Sequence, residues 1–363
     1  MKDSFQTPMA GLQVPLHDIE DALNAFWLDA AKGDESALVR ASTLSLVILT
    51  TSEERFSDIL NRVPDCTFHH PSRIIMVYIN RDSSTQKISA GLSVHCRLPQ
   101  HVEKQICCEI ITLRTGKAGV VHLSGALLPL LLPGLPVFLW LTDPQLLENA
   151  QLEPFFKMTD RLIVDLEHGA DHDVRKAVKR LLHFRDLLIS DMSWSRMIFW
   201  RESVARFFDN AAGPEWLAHI SEVKVEHARR NTYHALLLIG WMASLLRWVR
   251  DDVDGRIGFK NRSGAYVAVR LAESPVPGIR SGIGSITILT HDAQNSITLH
   301  AWLKNDRILS WEISTVNASV QSRDEDLHSR DEIESLCHEL DFLQRDTVFV
   351  QTLETVFPES TDC

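Results

Sequence analysis

Two groups of residues in this chain have types and spacing that could do chemistry. The first is polar and flanks apolar runs: His70 and Arg73 lead into one, and Asp143 and Asp165 follow two others. Open α/β sheets bind ligands at the carboxyl ends of their strands, so these four are the candidate polar groups of a site for an anion, a sugar phosphate or a nucleotide. Two simpler roles stay open beside it. Aspartates at strand ends cap the turn or helix that follows, and Arg73 is equally suited to anchoring an internal ion pair. The second group is Trp194, Arg196, Trp200 and Arg201 on one helical stretch. Tryptophan and arginine are the residues most enriched at protein–protein hot spots, which makes these four candidate partner contacts. Met197, Ile198, Val204 and Phe207 could instead continue a buried face that takes both indoles into the core.

The familiar catalytic signatures are missing. Thr115-Gly116-Lys117 lacks the upstream glycine of a phosphate-binding loop, because position 111 is Ile111. Gly278, Gly282 and Gly284 do not keep the G-x-G-x-x-G spacing and precede a strand pattern rather than a helix. There is no G-x-S-x-G and no H-E-x-x-H. His168 and His172 are four apart, yet no third ligand lies near, and a catalytic zinc normally takes three protein ligands. No catalytic residue, metal or cofactor is therefore assigned. The six cysteines form no C-x-x-C. Their sparse, irregular placement suits a reducing cytosol. Cys107 and Cys108 read as buried strand residues on opposite faces, and Cys363 is the best-exposed candidate for a redox switch.

A net charge of -11 argues against a general nucleic-acid binder, which needs a basic footprint. Met1 to Pro8 has neither the basic nor the apolar region of a secretory leader, so none is expected. From Ala118 to Thr142 the chain carries no charge. Pro129, Pro133 and Pro136 interrupt that run, and a membrane-spanning helix is not the expected reading.

The elements that must position these residues follow from periodicity. A helix is expected over Asp18 to Ala30, then a strand from Arg40 to Thr50, a capped helix from Thr51 and a buried strand over Ser72 to Ile79. Lys87 to Arg97 and Gln105 to Arg114 alternate as antiparallel or edge strands do. A helix from about Gly119 to Leu132 leads into a strand over Val137 to Leu141. Another helix lies within Pro144 to Met158, and Arg161 to Asp165 closes the sheet. Beyond it come helices over Asp173 to Ser190 and Asp191 to Asn210, then a short strand over Glu222 to His227. A buried helix spans Ala228 to Arg250. Strands follow over Tyr266 to Leu271, Ser285 to His291, Ser296 to Leu303 and Arg307 to Ser314, with Asn305-Asp306 as a hairpin turn. Ser322 to Arg330 reads as a solvated loop before two last helices, Arg330 to Phe342 and Asp346 to Val356. The fold class is α/β plus α+β. A Rossmann-like, mostly parallel sheet with flanking helices occupies 1–168, helices with an antiparallel sheet occupy 169–357, and 358–363 form a tail.

Several ordered blocks carry a family likeness. They are RASTLSLV at Arg40 to Val47, HPSR at His70 to Arg73, LPLLLPGLPVFLW at Leu128 to Trp140 and DRLIVD at Asp160 to Asp165. DMSWSR at Asp191 to Arg196, WRE at Trp200 to Glu202, ALLLIGW at Ala235 to Trp241 and Arg345-Asp346 complete the set. Together they resemble the OpcA family, the glucose-6-phosphate dehydrogenase assembly proteins. The resemblance implies a non-enzymatic, cytoplasmic partner of that dehydrogenase, one that promotes its active oligomer at the entry of the oxidative pentose phosphate pathway. It supplies no catalytic residue, and it leaves open whether the chain self-associates.

Overall fold

The computed structural model describes residues 5–30, 38–40, 42–68, 70–97, 105–167, 171–209, 213–229, 232–274, 282–291, 296–305, 307–315, 318–327, 331–341 and 344–358. The chain forms two compact units. The first holds Met1–Asp165, Asp186–Ser190 and Asp331–Arg345, and the second holds Leu166–Arg185, Asp191–Arg330 and Asp346–Cys363. The division is thus not a single cut near residue 168. Two short segments return to the first unit, one adding a strand and one adding a helix.

The first unit is built on a nine-stranded sheet. In chain order its elements are β1 (Phe5–Val14), α1 (Ile19–Ala30), β2 (Leu38–Arg40), β3 (Leu44–Thr50), α2 (Glu53–Arg62), β4 (Ser72–Asn80), β5 (Ser89–Arg97) and β6 (Gln105–Gly116). Then come α3 (Val120–Leu127), β7 (Val137–Leu141), α4 (Glu153–Phe156), β8 (Arg161–Val164) and β9 (Leu188–Asp191). The strand order is β1-β5-β6-β4-β3-β7-β8-β9, with β2 beside β6. From β6 to β9 this is the order of a dinucleotide-binding doubly wound sheet, running outward from β3 and then jumping back to β7. Strands β3, β4, β6, β7 and β8 are mutually parallel, while β5 and β1 add an antiparallel edge. Every residue of β3 and β7 is buried, which explains their unbroken apolar sequences: both faces are covered. Arg161 to Asp165 does not close the sheet, because β9 lies beyond β8.

The uncharged run folds as α3, a 3-10 turn at Leu128–Leu130 and β7. Pro129 ends the helix and Gly134, at φ 75°, turns the chain, so the helix stops short of Leu132. Among the described residues no helix is long and apolar enough to cross a membrane. Cys107 and Cys108 are buried residues of β6, as expected, but four of the cysteines are paired, against a reducing surrounding. Cys66, in the turn after α2, is bonded to Cys337 in the returning helix Glu332–Leu340, and Cys96 is bonded to Cys107, its direct partner across β5 and β6. Cys108 stays a buried thiol, and Cys363 lies outside the described residues.

The second unit has an eight-stranded sheet ordered β11-β12-β13-β10-β14-β15-β16-β17. Its elements are α5 (Asp171–His183), α6 (Met192–Arg196), α7 (Ile198–Asp209), β10 (Ile220–His227), α8 (Tyr233–Leu246), β11 (Val249–Arg250) and β12 (Gly258–Lys260). They continue with β13 (Tyr266–Glu273), β14 (Ile283–His291), β15 (Ser296–Asn305), β16 (Ile308–Thr315) and β17 (Ala318–Asp326). The returning helix of the first unit is α9, and α10 (Thr347–Val356) belongs to the second. Among the described residues of this sheet only β10 and β13 pair in parallel. Helix α8 is buried over most of its length and packs on α10. It is shorter than its apolar pattern suggests, because Arg247 takes φ 55° and Trp248 N–H donates back to Ala243. The polar segment read as a loop from Ser322 is largely strand β17, an edge strand that needs no apolar alternation. β15 and β16 pair as the expected hairpin, although Asp306 itself lies outside the described residues.

Candidate functional site

In a sheet of this order the ligand crevice is expected where β3 and β7 part, above their carboxyl ends. Here that place is filled by the chain's own side chains. After β3 the sequence continues Thr51-Ser52-Glu53-Glu54, with no glycine. Ser52 caps α2, its hydroxyl accepting from Arg55 N–H at 3.3 Å. Thr51 Oγ1 donates to Asp143 Oδ2 at 2.8 Å, bridging the ends of the two strands. Asp143 also accepts from Gln145 N–H at 3.0 Å and is ion-paired with Arg81. Arg55 donates to the Thr142 carbonyl at 2.8 Å and pairs with Glu332. Glu53 pairs with Arg114 at 2.6 Å. A pyrophosphate needs close backbone approach through glycine and free N–H groups at the helix start. Two carboxylates in the first turn of α2 repel it instead, so these residues do not fit a dinucleotide.

Asp143 therefore caps and bridges. Asp165, 5 % exposed, stands at the end of β8 on the same edge. The other two proposed ligands are elsewhere. Arg73 is level with Ser45 and Glu109 near the amino ends of the parallel strands. At about 3.3 Å per residue that is roughly 20 Å from Asp143. His70 lies on the same amino side and meets Asp341, Nε2 to Oδ1 at 2.9 Å. The four residues cannot share one pocket, and the anion, sugar-phosphate or nucleotide site built from them is withdrawn.

What Arg73 does is plain from its neighbours. It is 1 % exposed and sits beside Glu109, 2 % exposed, on the adjacent strand. Its Nε donates to Glu109 Oε2 at 2.8 Å, and its other nitrogens reach Glu20 and, at 2.9 Å, the Leu130 carbonyl. Glu109 Oε1 accepts from Arg40 Nε at 2.7 Å and from the Trp27 indole at 2.7 Å. This is an internal ion-pair anchor, the second of the two roles open to Arg73.

The tryptophan–arginine stretch is also interior. Trp194 and Trp200 are 4 % and 6 % exposed, so neither ring offers a face to a partner in this conformation. Trp194 donates its indole N–H to Asp346 Oδ2 at 2.7 Å and packs on Phe349, 5.5 Å between ring centres. Arg201 lies over the Trp194 ring at 3.6 Å. Arg196 pairs with Glu167 at 2.5 Å. The continuation of the apolar face through Met197, Val204 and Phe207, all buried, is why the indoles turn inward. Next to them Asp191, 1 % exposed, caps α6 through Ser193 N–H at 2.9 Å and accepts the Tyr233 hydroxyl at 2.6 Å.

Among the described residues no group of three His, Cys, Asp or Glu side chains is placed to hold a metal. His168 and Gly278 lie outside those residues. With catalytic machinery unassigned, descent decides the reading. Residues 64–183 match the family described as the glucose-6-phosphate dehydrogenase subunit N-terminal domain, and residues 188–353 match its C-terminal domain. The chain belongs to the OpcA family.

Curated relatives of this OpcA-family chain agree. The "Putative OxPP cycle protein OpcA" of Synechocystis sp. is 29 % identical over 182 residues, which is 49 % of this chain and 38 % of that protein. Its namesake from Nostoc punctiforme is 27 % identical over 245 residues, 64 % of this chain and 51 % of the relative. The chain thus spans about half the length of the curated relatives it matches, or less. Among solved structures, an oxidoreductase from Sinorhizobium meliloti aligns over 87 % of this chain and 96 % of its own, at TM-score 0.47 and 11 % identity. Biliverdin reductase from Synechocystis aligns over 87 % and 98 %, at TM-score 0.45 and 10 % identity. Likeness at that level says nothing of chemistry.

Two residues central to these clusters, Glu109 and Asp191, escaped sequence reasoning. Glu109 interrupts a strand otherwise rich in Ile and Cys, and a lone acid in such a run was the available signal. Asp191 carried a cap signature, Asp-x-Ser ahead of a helix, that went unused.

Proposed function

We propose that this OpcA-family chain is a non-catalytic subunit that binds glucose-6-phosphate dehydrogenase and stabilises its active oligomer in the cytoplasm. The observation that carries the reading is the family match, since both matched segments are described as subunit domains of that enzyme. The packed switch point supports it. A sheet with the strand order of a dinucleotide binder here lacks the glycine turn and has Glu53 and Glu54 where phosphate would sit. An effector of this kind needs only to bind the competent state of its target more tightly than the other state. A tenfold shift takes about 1.4 kcal/mol of differential affinity.

The test is dehydrogenase activity of the cognate enzyme, with and without this chain, across substrate concentration and with sizing of the mixture. A lower KM or higher kcat together with co-elution is the expected result. Unchanged kinetics and separate elution, with both proteins folded, would overturn the reading.

A further inference from the structure

The carboxyl end of α8 turns back on itself. Arg247 takes φ 55°, Trp248 N–H donates to the Ala243 carbonyl at 2.8 Å, and the Trp248 ring rests near Phe259, 6.0 Å between ring centres. Leu245 is left 50 % exposed. After β12 the chain makes a tight turn. The Asn261 side-chain oxygen accepts from Ser263 N–H at 3.1 Å, from the Ser263 hydroxyl at 2.7 Å and from Ala265 N–H at 2.9 Å. The Asn261 side-chain nitrogen donates to the Ala218 carbonyl at 3.0 Å, tying this turn to the 3-10 turn Pro214–His219. Asn261 is thus occupied in holding these pieces together. Between them lies a cavity of about 490 Å³, in the roughly 300–1,000 Å³ range of small-ligand sites.

The walls are apolar: Leu217, Leu245, Leu246 and Trp248. Arg262 and Ser263 stand on the polar side, and no carboxylate is among the described lining residues. All of the lining belongs to the second unit. Two donors in it are unspent. Arg262 is exposed, and its guanidinium has no ion pair or hydrogen bond among the described residues. Nearby Arg250 and Lys260, by contrast, are paired with Asp252 and Asp251. The other donor is the Trp248 indole. It is 6 % exposed, and a buried indole N–H ordinarily finds an acceptor. Here it has none among the described residues, yet its nitrogen is not sealed as that of Trp140 is. The surface the ring keeps lies on the cavity, so the N–H is open to what enters there.

We propose that this cavity binds a small amphipathic carboxylate. Its hydrocarbon lies against the leucines and the Trp248 ring, and its carboxylate sits on Arg262 with the indole N–H as a further donor. A guanidinium presents a planar fork that a carboxylate fills with two parallel hydrogen bonds. The one cation in the lining matches one negative charge, so a monocarboxylate fits better than a phosphate dianion. The apolar walls reward a hydrocarbon body and give a bare anion nothing to gain. Both donors are acceptor-less groups that cannot satisfy each other, since guanidinium and indole only donate. A carboxylate supplies what both lack. The proposal does not depend on the dehydrogenase reading.

Isothermal titration of the full chain with octanoate, below its micelle concentration, tests it. Saturable binding at one site is expected. Acetate, which lacks the hydrocarbon, and octanamide, which lacks the charge, should each bind weaker by about tenfold or more. Arg262→Gln should weaken octanoate by about as much and leave octanamide unchanged, because only the charged contact is lost. Leu245→Glu sets a carboxylate of the chain itself beside Arg262 and should abolish octanoate binding with the wild-type circular dichroism. Both substitutions are at exposed positions, so the fold should survive them. Octanoate that does not saturate overturns the proposal, as does equal binding of octanoate and octanamide. So does octanoate binding indifferent to Arg262→Gln or to Leu245→Glu. Octyl phosphate bound more tightly than octanoate would overturn the carboxylate assignment.

Discussion

Replacing Glu109 by glutamine probes the anchor at the amino edge of the first sheet. Glu109 is 2 % exposed and accepts three hydrogen bonds, from Arg73 at 2.8 Å, Arg40 at 2.7 Å and Trp27 at 2.7 Å. Glutamine keeps the volume and removes the charge. Arg73, 1 % exposed, is then left with Glu20, whose side chain is 40 % exposed and hydrated. Breaking a buried pair from one side costs about 3–5 kcal/mol. Glutamine retains an acceptor, and the Arg40 arm is part-exposed and worth less than about 1 kcal/mol. A net loss of about 3 kcal/mol follows. For a domain of 150–250 residues that lowers the melting temperature by about 6–12 °C. Thermal unfolding followed by circular dichroism reads the shift. A companion titration with inorganic phosphate separates this anchor from an anion site: at 100 times its dissociation constant a ligand stabilises by about 2.7 kcal/mol. An unchanged midpoint in Glu109→Gln would refute the reasoning. So would a phosphate-dependent rise in the wild type that Arg73→Met abolishes.

Tyr233→Phe removes the donor to Asp191, with both residues 1 % exposed, and should cost about 1–3 kcal/mol in urea unfolding. Neither NADP nor NADPH should raise the melting temperature in a thermal-shift titration, because Glu53 and Glu54 open α2 where a pyrophosphate would lie. Stability should decline as pH falls below neutrality. Burial holds the His300 and His95 imidazoles below the ordinary value of 6.5, and at His300 Lys224 adds to this while Glu226 and Glu312 oppose it. The unfolded chain then takes up protons first, so this contribution is complete above pH 6.5 and is lost as pH falls through the folded values. His300→Asn should flatten the dependence of the unfolding midpoint on pH between 7 and 5, and an unchanged slope would show that the imidazole is not its source.

The strands that form the first sheet's core were legible because being covered on both faces demands unbroken apolar sequence, and β3, β4, β7 and β8 have it. β9 was not: four residues, LISD, vanish between two helical patterns. β17 was hidden for the opposite reason. ASVQSRDED sits at a sheet edge, where charge is tolerated and only its hydrogen bonds to β16 declare it a strand. The tryptophan stretch shows the limit most clearly. Trp194 has the composition of a hot spot and of a core alike, and Asp346 and Phe349, far along the chain, decide which. Arg73 falls within the strand expected from Ser72, yet its partner Glu109 depends on a register that periodicity does not fix.

The bond between Cys66 and Cys337 joins residues 271 apart. In covalent terms the polypeptide is a ring with two tails, and residues 166–185 and 191–330 of the second unit lie on that ring. Closing so long a loop removes about 5–6 kcal/mol of chain entropy from the unfolded state in the loop-closure account. A further consequence concerns breakage. A protease that cuts once anywhere between residues 66 and 337 opens the ring without dividing the molecule. The two pieces part on a denaturing gel only after a reductant is added, while in solution the nicked chain keeps its mass.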